Sequence, residues 1–291
     1  MSVPRIDAHQ HFWRRARGDY GWLTPALGPL WRDFEPDDLA PLLQRCAIAA
    51  SVAVQAAPSL AETRHLLELA GRTPWIAGVV GWIDFESPRA LQDLEELARD
   101  PGLVGLRPMI QDLEDERWML RPALRPVFEA LEKRGLVFDA LVRPQHLVHL
   151  VELVQRHPAL RVVLDHGAKP EIRAGPGWAG RGRWRERLGE LARSGAYVKL
   201  SGLATEARAG FADAELEPWI DVLLGEFGPA RVVWGSDWPV LRLACDYERW
   251  NALCLRLLAR LPRAEQERVL GGNARDLYRL RCGASAAGTT A

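Results

Sequence analysis

Short runs rich in valine, isoleucine and leucine recur along the chain, and each is followed by a segment whose apolar residues have helical spacing. Successive runs begin roughly 30 residues apart, which is the length of a strand–helix unit. The runs are apolar on both faces, as is typical of parallel strands covered by helices. Eight such units predict an α/β fold, a single-domain (β/α)8 TIM barrel, with strands at 3–8, 50–54, 75–82, 103–106, 136–141, 161–164, 196–200 and 231–234.

The composition is that of an ordinary globular protein. Apolar residues make up 48% of the 291 residues and charged residues 26%, which is enough material for a large core. The 38 basic residues balance the 38 acidic ones. Because a nucleic-acid-binding surface or an anionic-membrane-binding surface needs a clustered basic excess, we expect neither partner. The sequence leaves the oligomeric state open.

Targeting and cross-linking signals are absent from the sequence pattern. Strand-like sequence begins at Val3, which leaves no room for a signal peptide, and no apolar run reaches membrane-spanning length. The 4 cysteines have no Cys-x-x-Cys spacing and are expected to be reduced packing residues. These features predict a cytoplasmic protein with one domain at 1–282 and a disordered tail at 283–291, whose residues are small and polar.

Polar side chains follow most of the predicted strands. His9 and His11 lie at the end of the first strand, and because strand side chains alternate between faces, they point the same way. In a parallel barrel the carboxyl ends of all eight strands meet at one rim, so residues far apart in sequence come together there. The predicted rim consists of His9, His11, Gln55, Asp84, Arg107, Asp139, His166, Lys169, Lys199, Ser201 and Asp237.

This set of side chains suits the hydrolysis of a carbonyl compound. A strand-end carboxylate such as Asp237 can accept a proton from water while imidazoles such as His9, His11 and His166 polarise the carbonyl oxygen. The spacing of two between His9 and His11 also suits the binding of a single metal ion, so both interpretations stay open at this point.

Two long connections, at 14–33 and 167–183, are expected to cover the substrate at the same rim. The chain has 12 tryptophans, and several lie near the predicted rim. Flat apolar faces suit the C–H face of a sugar ring. Trp238, which directly follows Asp237, is the tryptophan assigned to the site.

Five motifs resemble one known family. They are Ile-Asp-Ala-His-Gln-His-Phe-Trp, Leu-Asp-His-Gly-Ala-Lys-Pro, Val-Lys-Leu-Ser-Gly-Leu, Val-Trp-Gly-Ser-Asp-Trp-Pro and the final Gly-Asn-Ala-x-x-x-Tyr. Together they span nearly the whole chain, which resembles the sugar-lactonase branch of the amidohydrolase superfamily, of the amidohydrolase 2 type. That branch includes L-fuconolactonase and L-rhamnonolactonase, and 2-pyrone-4,6-dicarboxylate hydrolase is more distant.

The resemblance implies a hydrolase that opens the ring of a sugar-acid lactone of the L-fucono or L-rhamnono type, in the catabolism of L-fucose or L-rhamnose. It implies that Asp237 is the general base acting on water, with His9, His11 and His166 around the reacting carbonyl. The substrate-binding residues are then expected to be Arg107, Lys169, Trp238, Gln55 and Asp84.

The resemblance also bears on metal content. Members with two metal ions add a bridging lysine or glutamate after the fourth strand and a histidine after the fifth, whereas this chain offers Arg107 and Asp139 near those places. Two metals are therefore not expected. Because lactones are activated esters and the pyrone-hydrolase relatives use no metal, a site that requires no cofactor is favoured. The alternative is one Zn²⁺ or similar divalent cation held by His9, His11, Asp237 and possibly His166.

Three other functions compete with the sugar lactonase. One is a lactone hydrolase of the 2-pyrone-4,6-dicarboxylate type. Another is a metal-dependent decarboxylase of the related branch, which needs a histidine ligand after the fifth strand, and His146 lies too far along the chain to fit comfortably. The third is a non-catalytic carbohydrate-binding barrel, which has no use for the Asp237 carboxylate beside three imidazoles.

Overall fold

The computed structural model describes residues 3–281, in which eight parallel strands pair in chain order around a nearly closed barrel. The predicted (β/α)8 barrel is confirmed. Pairing between residues that adjoin the first and last strands closes the ring, because the amide of His11 donates to the carbonyl of Trp238 at 2.7 Å. The strands are β1 Ile6–Gln10, β2 Ala50–Val54, β3 Ile76–Gly81, β4 Leu103–Leu106, β5 Val137–Ala140, β6 Arg161–Leu164, β7 Tyr197–Leu200 and β8 Val232–Trp234.

The first strand begins later than the sequence pattern predicts. It starts at Ile6 and not at Val3, since Pro4 has no N–H to donate to a neighbouring strand. The shift places His9 inside β1 and His11 just beyond its end. The predicted tail at 283–291 lies outside the described residues.

Helices follow the strands and cover the outside of the barrel. Two of them begin with a side chain that caps the helix: the Ser59 side chain accepts from the amide of Glu62 at the start of α2, and the Asp246 side chain accepts from the amide of Arg249 at the start of α9. The helices are α1 Pro36–Arg45, α2 Leu60–Arg72, α3 Ala90–Leu97, α4 Arg125–Arg134, α5 Leu147–Arg156, α6 Arg181–Arg193, α7 Leu203–Glu206, α8 Asp213–Phe227, α9 Tyr247–Leu258, α10 Arg263–Glu267 and α11 Asn273–Tyr278.

Two apolar clusters hold these layers together. The larger one lies between strands and helices, and the smaller one fills the barrel with side chains such as Val52, Val163 and Val233. Leu277 of α11 packs into the smaller cluster, and the segment just before α11 lies against Pro4, so the amino-terminal end of the barrel is closed. No helix within residues 3–281 is both long enough and apolar enough to cross a membrane.

Candidate active site

Three histidines and one aspartate converge at the carboxyl end of the barrel. The Nε2 atoms of His9 and His11 lie 3.2 Å apart, which places both imidazoles on one face as the alternation of a strand requires. The Oδ1 atom of Asp237 lies 3.3 Å from Nε2 of His11, 3.7 Å from Nε2 of His9 and 3.8 Å from Nε2 of His166. All four side chains are buried. One carboxylate oxygen therefore faces three ring nitrogens.

Two of these residues are held by unusual backbone. His166 has a φ of 55° and Asp237 a φ of 61°, in the left-handed region that residues with a Cβ rarely occupy. Such a conformation costs roughly 1–2 kcal/mol per residue and recurs at functional sites. The amide of Asp237 donates to the carbonyl of His9 at 2.8 Å, and that of Ser236 donates to the buried carboxylate of Asp7 at 2.8 Å. These bonds fix the turn after β8 against β1.

The far nitrogen of each imidazole has its own partner. Nδ1 of His11 lies 2.8 Å from the carbonyl of Val54, and because a carbonyl only accepts, Nδ1 carries the proton and Nε2 has a free lone pair. Nδ1 of His166 lies 2.9 Å from the hydroxyl of Ser201. Partners on the second ring nitrogen orient an imidazole and fix its tautomer.

A fully buried ion network supports His9 from below. The ammonium of Lys199 lies 2.5 Å from Oδ2 of Asp139, 2.9 Å from Oδ1 of Asp165 and 3.0 Å from Nδ1 of His9. Burial raises the pKa of Asp139 to about 6 despite Lys199, while Lys199 and His9 outweigh burial and hold the pKa of Asp165 well below its usual range. The sequence places Asp139 and Lys199 on the rim, but the structure places them beneath it, where they position His9.

The charge states of the cluster follow from its surroundings. Burial lowers the pKa of His166 to about 4, so this imidazole is neutral at neutral pH. Burial alone would raise the pKa of Asp237, but the facing imidazoles, His166 first and then His11 and His9, lower it below the ordinary value. Asp237 is therefore a carboxylate throughout the working range, which is the form that accepts a proton.

Arg107 brings a guanidinium to the same cluster. Its Nη1 atom lies 3.3 Å from Oδ2 of Asp165 and 3.4 Å from Nε2 of His9. Gln55 holds it in place, because Nη2 of Arg107 donates to the Gln55 carbonyl and the Gln55 amide donates to the Arg107 carbonyl at 2.7 Å. Gln55 therefore lies behind Arg107 and does not line the cavity described next.

A cavity of about 810 Å³ opens over the cluster. Of the residues predicted for the site, His11, Asp84, Arg107, Lys169 and Asp237 line it. Trp238 does not, because its ring packs in the core against Phe12 and Phe34 at centroid distances of 6.1 and 5.3 Å. The aromatic wall is formed instead by Trp22, which belongs to the connection at 14–33 that the sequence predicts to cover the rim, and by two tryptophans that sequence reasoning misses, Trp82 and Trp118.

Glu62 is a buried residue that supports the cavity wall and that sequence reasoning misses. Its buried carboxylate accepts from the amides of Ala56 and Ala57, at 3.0 and 2.7 Å, in the turn that forms one side of the cavity. The indole N–H of Trp22 donates to the carbonyl of the same Ala56 at 2.7 Å. Glu62 therefore holds the turn on which the loop at 14–33 rests, and only its position at the start of α2 could have suggested a capping role.

The protonation state of the Glu62 carboxyl group makes the stability of the fold depend on pH. Burial raises its pKa from 4.5 to about 7, against the lowering effect of the two amides. The folded protein thus binds this proton more tightly than the unfolded chain, so the associated stability is present below about pH 4.5 and is lost as the pH rises through 7. We expect the free energy of unfolding to fall by up to about 3 kcal/mol more for the wild type than for Glu62→Gln between pH 4.5 and 8. Urea unfolding at both pH values measures this, and parallel losses in the two proteins would refute it.

The donor atoms around Asp237 fit a divalent cation. One ligand atom from each of His9, His166 and Asp237 lies within 4.8 Å of the others, and Nε2 of His11 lies 3.3 Å from the carboxylate. Bonds of about 2.0–2.2 Å in a tetrahedral zinc site place neighbouring ligand atoms roughly 3.3 Å apart. The nitrogen and oxygen donors and the partners behind the imidazoles are both typical of zinc sites.

The expectation of a site without a metal is wrong on this evidence. An amidohydrolase structure from Burkholderia multivorans with bound zinc superposes with a TM-score of 0.90 at 38% identity, covering 95% of this chain and 99% of that one. The expectation rested on the reactivity of lactones and on the metal-free pyrone-hydrolase relatives, whereas the chain brings together nitrogen and oxygen donors from β1 and from the turns after β6 and β8. Those donors are enough for one ion.

Curated relatives cover almost the whole chain. An L-fucono-1,5-lactonase of Burkholderia ambifaria is 45% identical over 95% of this chain and 96% of its own length. A second L-fucono-1,5-lactonase, from Burkholderia multivorans, is 41% identical over 96% of this chain and 97% of its own. The model of the amidohydrolase family matches residues 6–280. The chain therefore belongs to the amidohydrolase family.

Proposed function

We propose that this enzyme, a lactone-hydrolysing amidohydrolase, opens the ring of an uncharged sugar-acid lactone, with L-fucono-1,5-lactone as the first candidate. The observation that carries the proposal is the Asp237 carboxylate, which faces three imidazoles at the inner end of a cavity with an aromatic wall. Its relatives at 45% and 41% identity, both L-fucono-1,5-lactonases, support the same substrate class. L-Rhamnono lactones are the nearest alternative.

The reaction can be followed through Asp237. A water molecule beside the carboxylate attacks the lactone carbonyl carbon, and its proton passes to Asp237 as the C–O bond forms. The oxygen of the tetrahedral intermediate carries the negative charge, which the Arg107 guanidinium stabilises. When the bond from carbon to the ring oxygen breaks, Asp237 returns the proton to that oxygen. Asp237 acts as base and then as acid, and the product is the open aldonic acid, which releases a proton to the solvent and becomes the aldonate.

The histidines and the aspartate of this cluster would also be the ligands of a divalent cation. His9, His11, His166 and Asp237 would hold it, and when bound it would polarise the carbonyl and acidify water. The protein's own part is to orient these side chains, through Val54, Ser201 and the Lys199 network.

The cavity wall accounts for binding of the rest of the substrate. The side chains of Trp22, Trp82 and Trp118 offer apolar faces to the C–H face of a sugar ring or to a methyl group. Lys169 and Asp84 supply polar groups for ring hydroxyls on the same cavity. Trp238 is not among the residues we propose for substrate contact.

The decarboxylase alternative lacks the histidine metal ligand that it needs after the fifth strand. His146 lies just before α5, where its Nδ1 accepts from the amide of Arg143 at 3.0 Å, and it is not on the cavity. A purely carbohydrate-binding barrel has no role for Asp237. A cytoplasmic location remains a prediction from the sequence.

A lactone survey tests the function. The purified protein is assayed by proton release with L-fucono-1,5-lactone, L-rhamnono lactones, D-glucono-1,5-lactone and 2-pyrone-4,6-dicarboxylate. We expect kcat/KM for an uncharged aldonolactone to exceed that for the dicarboxylate by orders of magnitude. A preference for the dicarboxylate would overturn the substrate class and keep the hydrolytic chemistry, whereas no hydrolysis of any of them would refute the proposed function.

A further inference from the structure

Two cationic side chains reach the cavity wall, and each is paired with a carboxylate that does not line the cavity. Arg107 faces Asp165, with 3.3 Å between Nη1 and Oδ2. The ammonium of Lys169 lies 3.8 Å from Oε1 of Glu206, the last residue of α7. Arg107 and Lys169 line the cavity, whereas Asp165 and Glu206 do not. The positive charge of each side chain is therefore neutralised by a carboxylate that lies outside the cavity lining.

The backbone fixes Lys169 in this place. Lys169 ends a turn of consecutive left-handed residues that begins at His166, and its own φ is 49°. The amide of Lys169 donates to the carbonyl of His166 at 2.9 Å, and the indole of Trp184 donates to the carbonyl of Gly167 at 2.9 Å. The turn that presents His166 therefore also presents Lys169.

Glu206 interacts with Lys169 through electrostatic attraction and not through a hydrogen bond. The separation of 3.8 Å exceeds a hydrogen bond, and both side chains are only partly exposed, at 19% and 26%. The ammonium protons thus remain available to a neutral hydroxyl, while an anion approaching Lys169 also experiences the nearby carboxylate. Over a few ångströms in a partly buried site, that repulsion is not fully screened.

The rest of the cavity reinforces this charge balance. Four more carboxylates line it: Asp19, Asp84, Glu86 and Asp112. Asp19 pairs with Arg17 and Glu86 with Arg121, but within residues 3–281 neither Asp84 nor Asp112 has a lysine or arginine nitrogen within 4.0 Å. Within the same residues, the cavity has no uncompensated cation with which to receive a negatively charged substrate.

We propose that Glu206 is a specificity-determining residue, which cancels the charge of Lys169 and so excludes lactones that carry a carboxylate. This inference rests on the proposed function and narrows its substrate class. It has a second consequence, because ring opening converts a neutral lactone into an anionic aldonate. The same carboxylate weakens the retention of that product.

The test uses Glu206→Gln and a matched control. Glu217→Gln removes one carboxylate from an equally loose pair, because Glu217 lies exposed on α8 with Nη1 of Arg260 3.9 Å from its Oε1. For each protein we measure kcat/KM with L-fucono-1,5-lactone and with 2-pyrone-4,6-dicarboxylate, and the affinity for L-fuconate by calorimetry. The calorimetry does not depend on turnover, and the melting temperature checks that each variant is folded.

We expect Glu206→Gln to raise the ratio of anionic to neutral kcat/KM and the affinity for L-fuconate by about 10-fold each, with Glu217→Gln unchanged. Both gains should fall as NaCl is raised and should disappear in a Glu206→Gln/Lys169→Gln double variant. If lactone hydrolysis is present but neither quantity changes in Glu206→Gln, the inference is wrong and the proposed function stands. If no lactone is hydrolysed, the proposed function fails, and the L-fuconate affinity still decides the role of Glu206.

Discussion

Asp237→Asn is expected to fold normally and to hydrolyse the lactone at least about 100-fold more slowly, since removal of a positioned general base has effects of this order. The asparagine amide has nearly the shape of the carboxylate, and the backbone bond from residue 237 to the carbonyl of His9 remains. What disappears is the oxygen that accepts a proton from water and returns it to the ring oxygen. The loss is therefore expected in kcat more than in KM.

The measurement compares kcat and KM for the two proteins, with melting temperatures as the check on folding. Asp221→Asn is a suitable control, because it removes one aspartate carboxylate from an exposed pair with Arg260 on the outside of the barrel. Turnover of Asp237→Asn within a few-fold of the wild type, in a folded protein, would remove Asp237 from the mechanism.

Gly202→Ala is the second change for which we expect a large loss, of about 100-fold in kcat/KM. A Cβ at residue 202 would lie 2.4 Å from Cγ and Nδ1 of His166, closer than any real contact. The ring must move, and with it the Nε2 atom that faces Asp237 and the contact with Ser201. A displacement near 1 Å in a catalytic group costs on the order of 100-fold in rate.

The change at Gly202 also forces alanine into a left-handed conformation, with a φ of 63°, and that effect needs its own control. Gly210→Ala supplies it, because Gly210 has a φ of 70° and a Cβ added there would meet no atom within 4 Å. The left-handed backbone should cost both variants roughly 1–2 kcal/mol of stability, but only Gly202→Ala should lose activity. Equal activities in the two variants would show that the position of His166 does not limit the reaction.

Much of the fold is predictable from the sequence because parallel strands are buried on both faces. The apolar runs at Ala50–Val54, Leu103–Leu106 and Arg161–Leu164 match their strands residue for residue. The strand ends then place His9, His11, His166 and Asp237 on one rim, and the alternation of side chains along β1 orients the first two. These are properties of local sequence and of barrel topology.

The remaining features depend on side-chain direction and on tertiary contacts. Trp238 follows Asp237 in sequence, yet its ring lies in the core against Phe34. Gln55 ends a strand as predicted, but its side chain turns behind Arg107. The left-handed turn at His166 brings its ring toward the other donor atoms, and no pattern in the sequence predicts that backbone conformation.

A crystal structure of Asp237→Asn with the lactone bound tests the central claim most directly, because the slow variant should retain unreacted substrate. We expect the carbonyl carbon to lie beside the residue 237 side chain, with room for one water at about 3–3.5 Å, and the ring to rest on the wall of Trp22, Trp82 and Trp118. A lactone bound with its carbonyl directed away from residue 237 and the three histidines would contradict the proposed mechanism.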